Sequence, residues 1–302
     1  MPSPLISIVI PVYNGEAFVA DAIDSVLAQE NAAFELIVVD DGSTDATPAI
    51  LARYGGAIAL HYQPNRGEGA ARNAALPHLR GELALFLDAD DLLPAGYLDR
   101  FAAAAREAPE IEVFHCGWRI VTFDGTPLYA VEKPEPIDAD PFHALAYRGS
   151  PAIDSVLVRR SALARVGGFD PALRVQADLD FCLRLAASGA RFRGVPGNVA
   201  IVRRRPDSVS ARRQDELAAA AALVLERHLR GHARCPACAP ARAALLSAQR
   251  RALFIEAQRL AGRIGLTGRH ARRWIGTFLA VARRPRLSGA ALASFAAYWR
   301  RR

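Results

Sequence analysis

The stretch LALFLDADD, residues 83–91, decides the fold that we expect for this chain. Its first five residues are apolar, which is typical of a strand buried on both faces of a parallel sheet. Asp88, Asp90 and Asp91 follow at once, and carboxylates at the mouth of a buried strand are costly unless a cation neutralises them. A hard divalent cation takes oxygen ligands and keeps coordination positions that phosphates can fill. The stretch therefore predicts a metal-bridged nucleotide site at the end of a buried strand.

Strands and helices alternate along the residues that precede this stretch. The patterns predict strands at residues 6–12, 34–40 and 57–62, and helices over 16–28, from about Thr44 and after Gly67. This alternation is typical of an α/β fold with a mostly parallel sheet and helices on both faces. Ligands of such sheets bind beyond the carboxyl ends of the strands. We therefore expect residues 11–14, Asp40 with Asp41, and residues 88–91 to converge at one edge of the sheet.

The composition indicates a globular protein. Hydrophobic residues make up 51% and charged residues 23% of the 302 residues, which excludes a disordered chain. No apolar run reaches the roughly 20 residues that span a bilayer, and the apolar start lacks a basic region typical of a signal peptide. The four cysteines do not form a dense disulfide framework, which fits the cytosol. We therefore expect a cytoplasmic protein.

The net charge of +7 combines −8 for residues 1–210 with +15 for residues 211–302. This division predicts two units with different partners. We expect residues 1–210 to form the catalytic domain and residues 211–302 to form a basic, Arg- and Ala-rich helical extension.

Each local motif also has a purely structural interpretation. Residues 41–45, DGSTD, could be a turn in which Ser43 or Thr44 caps a helix. Residues 67–73, GEGAARN, could be only a loop and a helix start, or Gly69 could admit a close ligand while Arg72 meets phosphate. The aspartates of residues 88–91 could cap a helix near Pro94, which accounts for one of them but not for three.

Taken together, the motifs resemble the family 2 glycosyltransferases, which have the Rossmann-like GT-A fold. The resemblance rests on residues 7–14 (SIVIPVYN), 35–45 (ELIVVDDGSTD), 65–73 (NRGEGAARN) and 88–90 (DAD). It implies inverting transfer of a single sugar from a nucleotide-diphosphate sugar, with a UDP-sugar favoured, to an acceptor hydroxyl. Bacterial surface polysaccharide or glycoconjugate assembly is the implied context. Glycan, lipid-linked and peptide acceptors all stay open.

The resemblance also implies roles for individual residues. Asp40 or Asp41 would read the base, Asp88 would lie near the ribose, and Asp90, helped by Asp88, would hold Mn²⁺ or Mg²⁺. Arg72 would stabilise the departing diphosphate together with the metal. The remaining residues implied at the nucleotide-sugar site are Pro11, Tyr13, Asn14, Gly69, Ala89 and Arg205.

Asp178 is the implied catalytic base. Leu179, Cys182, Leu183 and Ala186 recur at helical spacing, so one helix face should pack inward with Asp178 in the first turn. Family members have a Glu-Asp pair here, whereas this chain has Ala177 and Asp178. Alternatively, Asp178 only complements the helix dipole.

A second departure from the family pattern lies at residues 205–210, RPDSVS, where family members often have His-Pro-x-Ser-x-Ser. An arginine cannot ligate a metal but can neutralise a diphosphate. Either the metal has one protein ligand fewer, or Arg203, Arg204 or Arg205 stabilises the leaving group. The missing Glu and His also motivate an alternative function, a non-catalytic nucleotide-sugar-binding or scaffold protein.

The basic extension has helical patterns at residues 213–229, 241–262 and 287–299. Residues 272–274 (RRW) and 298–302 (YWRRR) pair aromatics with cations, which suits a helix at an anionic membrane surface. Packing on the catalytic domain or homo-oligomerisation is the alternative. Nucleic-acid binding is not expected, because no motif for it accompanies the charge.

Cysteine and histidine residues suggest two further interpretations. His228, His232, Cys235 and Cys238 have the residue types of a structural zinc site, but their spacing is tight for a tetrahedral site, and a Cys-Pro turn with solvated histidines is the favoured interpretation. We expect Cys116 and Cys182 to be small buried hydrophobes. His115 is either an acceptor-site residue or a core residue.

Overall fold

The computed structural model describes residues 6–132, 134, 137–204, 214–230, 235–239 and 243. The chain divides into two compact units, Met1–Arg212 and Arg213–Arg302.

The first half of the unit Met1–Arg212 is a parallel sheet, as the alternating pattern predicts. Its strands are β1 (Ile6–Val12), β2 (Phe34–Asp40), β3 (Ala59–Tyr62) and β4 (Leu83–Phe86). They lie in the order β3-β2-β1-β4, and Val12 pairs with Asp40, which in turn pairs with Tyr62. The carboxyl ends of these strands therefore meet at one edge, where the candidate site residues follow.

The second half extends the same sheet in mixed orientation. Its strands are β5 (Val113–Thr122), β6 (Pro127–Val131), β7 (Val156–Arg159) and β8 (Phe192–Arg204). β7 runs antiparallel to β4, β5 runs antiparallel to β7 and β6, and β8 runs parallel to β5. The described strands form one eight-stranded sheet.

Helices cover both faces of the sheet. The helices among the described residues of this unit are α1 (Val19–Leu27), α2 (Thr47–Ala52), α3 (Glu68–Ala75), α4 (Tyr97–Glu107), α5 (Pro141–Arg148), α6 (Arg160–Val166) and α7 (Ala177–Ala187). Three starts differ from the sequence expectation. The α1 helix begins three residues later than residue 16, and α2 begins at Thr47 instead of near Thr44. Strand β3 begins at Ala59, two residues later than expected, after a 3-10 turn at Gly55–Ala57.

The core has one layer on each side of the sheet. On one side, Ile8 and Ile10 of β1 pack in a cluster with Ile23 of α1 and Phe101 of α4. On the other side, Phe86 of β4 makes edge contacts with the rings of Phe169 and Phe181, which stack on each other at 4.5 Å between centroids. This aromatic layer fixes α7, and therefore Asp178, against the end of β4.

The C-terminal unit contains helix α8 (Gln214–Leu229), which corresponds to the pattern at residues 213–229. Among the helices that the structure describes, none combines the length and the apolar composition that a membrane crossing requires. Residues 244–302 lie outside the described residues, and so do His232 and Arg205. The membrane and zinc interpretations therefore stay predictions.

Candidate active site

The loops that follow β1 and β2 are tied together by Asn14. Its backbone has φ 50°, and its side-chain Oδ1 accepts a hydrogen bond from the Thr44 backbone N at 2.8 Å. The Asn14 N–H donates to Ser43 Oγ at 2.9 Å. The expectation that Ser43 or Thr44 caps a helix is wrong, because α2 begins at Thr47 and both side chains bond to Asn14 instead.

The two aspartates at the end of β2 have different surroundings. The Asp41 carboxylate accepts hydrogen bonds from Gln63 Nε2 at 2.6 Å, Arg66 N at 2.9 Å and Gly67 N at 2.8 Å. Asp40 Oδ1 accepts one from Ser43 N at 2.9 Å. A carboxylate offers about four acceptor positions, so most of Asp41 is used to hold the loop that leads into α3. Asp40 retains more capacity for a ligand.

Arg72 lies on α3 and is directed at the Asp88 carboxylate. Its Nη2 donates to Asp88 Oδ1 and to Glu68 Oε1, both at 2.5 Å, and its side chain is only 5% exposed. The guanidinium also lies 4.9 Å from the centroid of the Phe169 ring, a cation–π contact. Arg72 therefore meets a carboxylate of the predicted nucleotide site, and its positive charge is held beside Asp88.

Gly69, in the first turn of α3, makes ordinary contacts. A Cβ there would lie 3.6 Å from the Asp170 carbonyl oxygen and from Phe169 Cβ. The protein neighbours alone do not require a glycine at this position. The close approach of a ligand to Gly69 stays a prediction.

The aspartates of residues 88–91 form a tight turn, which we call the aspartate turn. The Asp91 N–H donates to the Asp88 carbonyl oxygen at 3.0 Å. The Asp88 N–H donates to Asp154 Oδ1 at 2.7 Å. The suggestion that an aspartate caps the following helix is wrong, because α4 begins at Tyr97 after Gly96 and has no side-chain cap.

Carboxylate oxygens of Asp88, Asp91 and Asp154 lie within 4.8 Å of one another. Asp154 was not predicted from the sequence, and Asp90, which was predicted as a ligand, is not in this group. Burial raises the pKa of Asp154 to about 7 and also raises the pKa of Asp91, and the two carboxyl groups share a hydrogen bond. Two buried carboxyl groups this close to each other do not both ionise readily. Asp88 and Asp90 are the partly exposed carboxylates of the turn.

The three arginines near the end of β8 have separate environments. Arg203 is buried, and its guanidinium bonds to Asp21 and to the Asp90 carbonyl oxygen. Arg204 is exposed, and Arg205 lies outside the described residues. Arg203 is therefore committed to protein partners and is not open to a leaving group.

Asp178 lies in the first turn of α7, as the helical spacing predicts. Its Oδ2 accepts a hydrogen bond from Ser150 Oγ at 3.2 Å, and its Oδ1 accepts one from Leu179 N at 2.9 Å. Burial raises the pKa of Asp178, while the Leu179 amide, the Arg72 charge and the Ser150 hydroxyl act in the opposite direction. Ser150 lies 28 residues away in sequence and carries no motif that would have identified it.

The other candidate residues have the following environments. Pro11 and Ala89 are buried, and Tyr13 is half exposed at the same edge of the sheet. Cys116 and Cys182 are buried, as predicted. His115 is fully buried, and its Nε2 lies 2.6 Å from Asp138 Oδ1, so it is a core residue.

Comparison with known proteins adds a family match and relatives. The sequence model of the family described as Glycosyl transferase family 2 matches residues 7–166, more than half of the chain. An uncharacterized glycosyltransferase of Rickettsia typhi is 34% identical over 187 residues, which cover 59% of this chain and 57% of that relative. The chain thus matches little more than half the length of this curated relative.

Two solved structures have a similar fold. S. aureus TarS 1–349 in complex with UDP-GlcNAc superposes with a TM-score of 0.60 at 19% identity, covering 92% of this chain and 90% of that chain. The mannosyltransferase PcManGT from Pyrobaculum calidifontis, in complex with GDP-Man and Mn²⁺, gives 0.56 at 25% identity, covering 94% and 81%. These similarities confirm the expected GT-A fold.

Proposed function

Because the chain belongs to glycosyl transferase family 2, we propose that it transfers a single sugar from a nucleotide-diphosphate sugar to an acceptor hydroxyl, with inversion at the anomeric carbon. One observation carries the proposal. Asp88, just after β4, accepts a hydrogen bond from the Arg72 guanidinium and donates its backbone N–H to the Asp154 carboxylate. The charges of Asp88 and Arg72 both act on the pKa of Asp178. Asp88, Arg72 and Asp178, to which we assign the roles of donor-binding carboxylate, cation and base, are therefore close enough to interact electrostatically.

The oxygen-rich aspartate turn fits a divalent cation such as Mn²⁺ or Mg²⁺. Asp88 and Asp90 would hold it, since Asp91 and Asp154 are engaged with each other. When bound, such an ion supplies neutralising charge for a diphosphate. PcManGT, with its Mn²⁺, supports a metal for this chain, and TarS, with UDP-GlcNAc, supports a UDP-sugar donor.

The residues that follow β2 and β4, together with Arg72 of α3, would position the donor. Asp40, with its spare acceptor positions, would bind the base, and Asp41 would act by holding the loop before α3. Asp88 would lie near the ribose. Arg72, already beside Asp88, places positive charge where the departing diphosphate develops negative charge.

Asp178 would act as the general base. It takes the proton of the acceptor hydroxyl while that oxygen attacks the anomeric carbon. The bond from the anomeric carbon to the diphosphate oxygen breaks, and the nucleoside diphosphate leaves with the bonding electrons. A single in-line displacement of this kind inverts the anomeric centre.

The test is a turnover assay of the full chain with Mn²⁺ and UDP-, GDP- or dTDP-sugars, scoring release of the nucleoside diphosphate with and without simple glycoside acceptors. We expect release with a UDP-sugar. Binding of nucleotide sugars without any turnover, across donors and acceptors, would instead favour the non-catalytic alternative that Ala177 motivates, where the family has Glu.

A further inference from the structure

Arg203, near the end of β8, joins three distant parts of the unit Met1–Arg212. Its Nη1 donates to Asp21 Oδ2 of α1 at 2.7 Å, and its Nε donates to the carbonyl oxygen of Asp90. Its Nη2 donates to the Phe18 carbonyl oxygen at 3.4 Å, and its guanidinium lies 4.5 Å from the centroid of the Phe123 ring. The aspartate turn is thereby attached to the start of α1.

The backbone beside Arg203 holds the same turn. The Arg203 N–H donates to Asp91 Oδ1 at 2.7 Å. Two residues earlier, Ile201 and Leu92 exchange backbone hydrogen bonds of 3.0 and 3.2 Å. Strand β8 therefore runs alongside the end of the turn and bonds to Asp90, Asp91 and Leu92 in succession.

The Arg203 side chain has no route to a ligand without breaking these contacts. It is 5% exposed, and Nε, Nη1 and Nη2 each have a protein acceptor. Its charge is balanced by Asp21, which is 55% exposed. A guanidinium presents its donors in a rigid planar fork, so it fixes the positions of several acceptors at once.

We infer that Arg203 is a positioning residue that holds the aspartate turn in the geometry that binds the divalent cation and the donor diphosphate. The inference rests on the proposed function. It assigns to Arg203 an indirect role through Asp90 and Asp91, and not the direct contact with the leaving group that the sequence left open. Residues that orient metal ligands typically change metal affinity or activity by about 10- to 100-fold when they are replaced.

The test measures Mn²⁺ binding to the purified full chain in the presence of UDP, by the electron paramagnetic resonance signal of free Mn²⁺. We expect Arg203→Gln to weaken Mn²⁺ binding by about tenfold or more. Arg203→Lys, which keeps the charge but loses the fork, should fall between Arg203→Gln and wild type. In donor turnover, saturating Mn²⁺ should recover most of kcat in Arg203→Gln, because the catalytic groups are intact.

Arg193→Gln is the matched control. Arg193 lies on the same strand, is 42% exposed and forms a long ion pair with Glu107 at 3.6 Å. The Mn²⁺ affinity of the Arg193→Gln protein should therefore equal that of wild type. Thermal melts establish that each variant is folded. A purely structural Arg203 would lower the melting temperature and leave the Mn²⁺ affinity of the folded protein unchanged.

Mn²⁺ affinity of folded Arg203→Gln within twofold of wild type would overturn the inference. If Arg203→Gln does not fold, Asp21→Asn replaces it in the Mn²⁺ titration, because this variant releases the Arg203 guanidinium from its exposed partner. Weaker Mn²⁺ binding by Asp21→Asn supports the positioning role of Arg203, and unchanged Mn²⁺ binding refutes it. A wild-type chain that binds no Mn²⁺ also refutes it. If wild type binds Mn²⁺ and UDP but transfers no sugar, the proposed function fails while the titration still decides the role of Arg203.

Discussion

At the scale of the residue, Asp178 is the side chain on which the proposed chemistry depends. It lies in the first turn of α7 and is held by Ser150 and by the Leu179 amide. A helix-dipole role alone would not require the neighbouring charges of Arg72 and Asp88. The Arg72 charge lowers the pKa of Asp178 and the Asp88 charge raises it, so Asp178 interacts with both groups, and its role as a base stays a proposal.

Replacing Asp178 with Asn removes the proton acceptor but keeps the size of the side chain. We expect kcat to fall by about 10²- to 10⁴-fold, the usual contribution of general acid–base catalysis, while UDP binding stays within a few-fold. Steady-state kinetics and a UDP titration measure the two effects. Asp99→Asn, on the surface of α4, is the control and should behave as wild type. Equal loss of binding and turnover would contradict the assignment.

The pH profile tests the environment of Asp178. A base works only when it is deprotonated, so kcat/KM should fall as the pH drops through the pKa of Asp178, which burial raises above its usual value. The Ser150 hydroxyl lowers this pKa, so Ser150→Ala should move the acid limb of the profile to higher pH. An acid limb that stays in place, measured at saturating Mn²⁺, would assign the titration to another group.

At the scale of the element, two hydrogen bonds connect α3, which carries Arg72, to the loop that precedes α7, which carries Asp178. Asn73 of α3 donates from Nδ2 to the Phe169 carbonyl oxygen at 2.7 Å and accepts from the Phe169 N–H at 2.8 Å. Gly168 has φ 78°, and a Cβ there would lie 2.4 Å from Asn73 Oδ1. Phe169 then packs between Arg72 and Phe181, which joins the donor half to α7.

The two hydrogen bonds between Asn73 and the Phe169 backbone, which we call the Asn73 clamp, should stabilise the unit Met1–Arg212. Asn73→Ala leaves a partly buried N–H and C=O of Phe169 without partners, which costs about 1–3 kcal/mol of the free energy of unfolding. Urea denaturation measures the loss. Asn31→Ala, which removes only an exposed hydrogen bond to Asp99, should change stability by less than about 0.5 kcal/mol. Similar losses in the free energy of unfolding of the two variants would show that the Asn73 clamp stabilises the protein no more than an exposed hydrogen bond does.

At the scale of the whole molecule, the chain combines an acidic N-terminal part with a basic C-terminal part. The net charge is −8 over residues 1–210 and +15 over residues 211–302. Cations attract anionic lipid surfaces within a Debye length, and tryptophan favours the headgroup region. Contact with a membrane through the C-terminal part therefore stays a prediction of the charge and aromatic pattern.

Vesicle sedimentation tests this prediction. The full chain should bind vesicles of anionic phospholipid, and binding should weaken as salt is raised because screening shortens the reach of the charges. Removal of residues 264–302 should abolish binding, and neutral vesicles serve as the control. Binding that is insensitive to salt or to the truncation would contradict an electrostatic role for this segment.

The sequence by itself determined the elements that local patterns specify. Apolar runs placed β1, β2 and β4, and the rule that parallel strands end together brought Asn14, Asp40 and Asp88 to one edge. Helical periodicity placed Asp178 in the first turn of α7. These features depend on neighbours in sequence or on a regular topology, so a single chain is enough to predict them.

Only the tertiary structure decided which side chains support the site. Asp154 bonds to Asp88 across 66 residues, and Arg203 reaches Asp90 across 113. The tertiary structure also turned Arg72 toward Asp88 and committed most of the Asp41 carboxylate to a loop. The physical reason is that buried charges and N–H groups must find partners wherever the packed chain presents them, and no local pattern records where that will be.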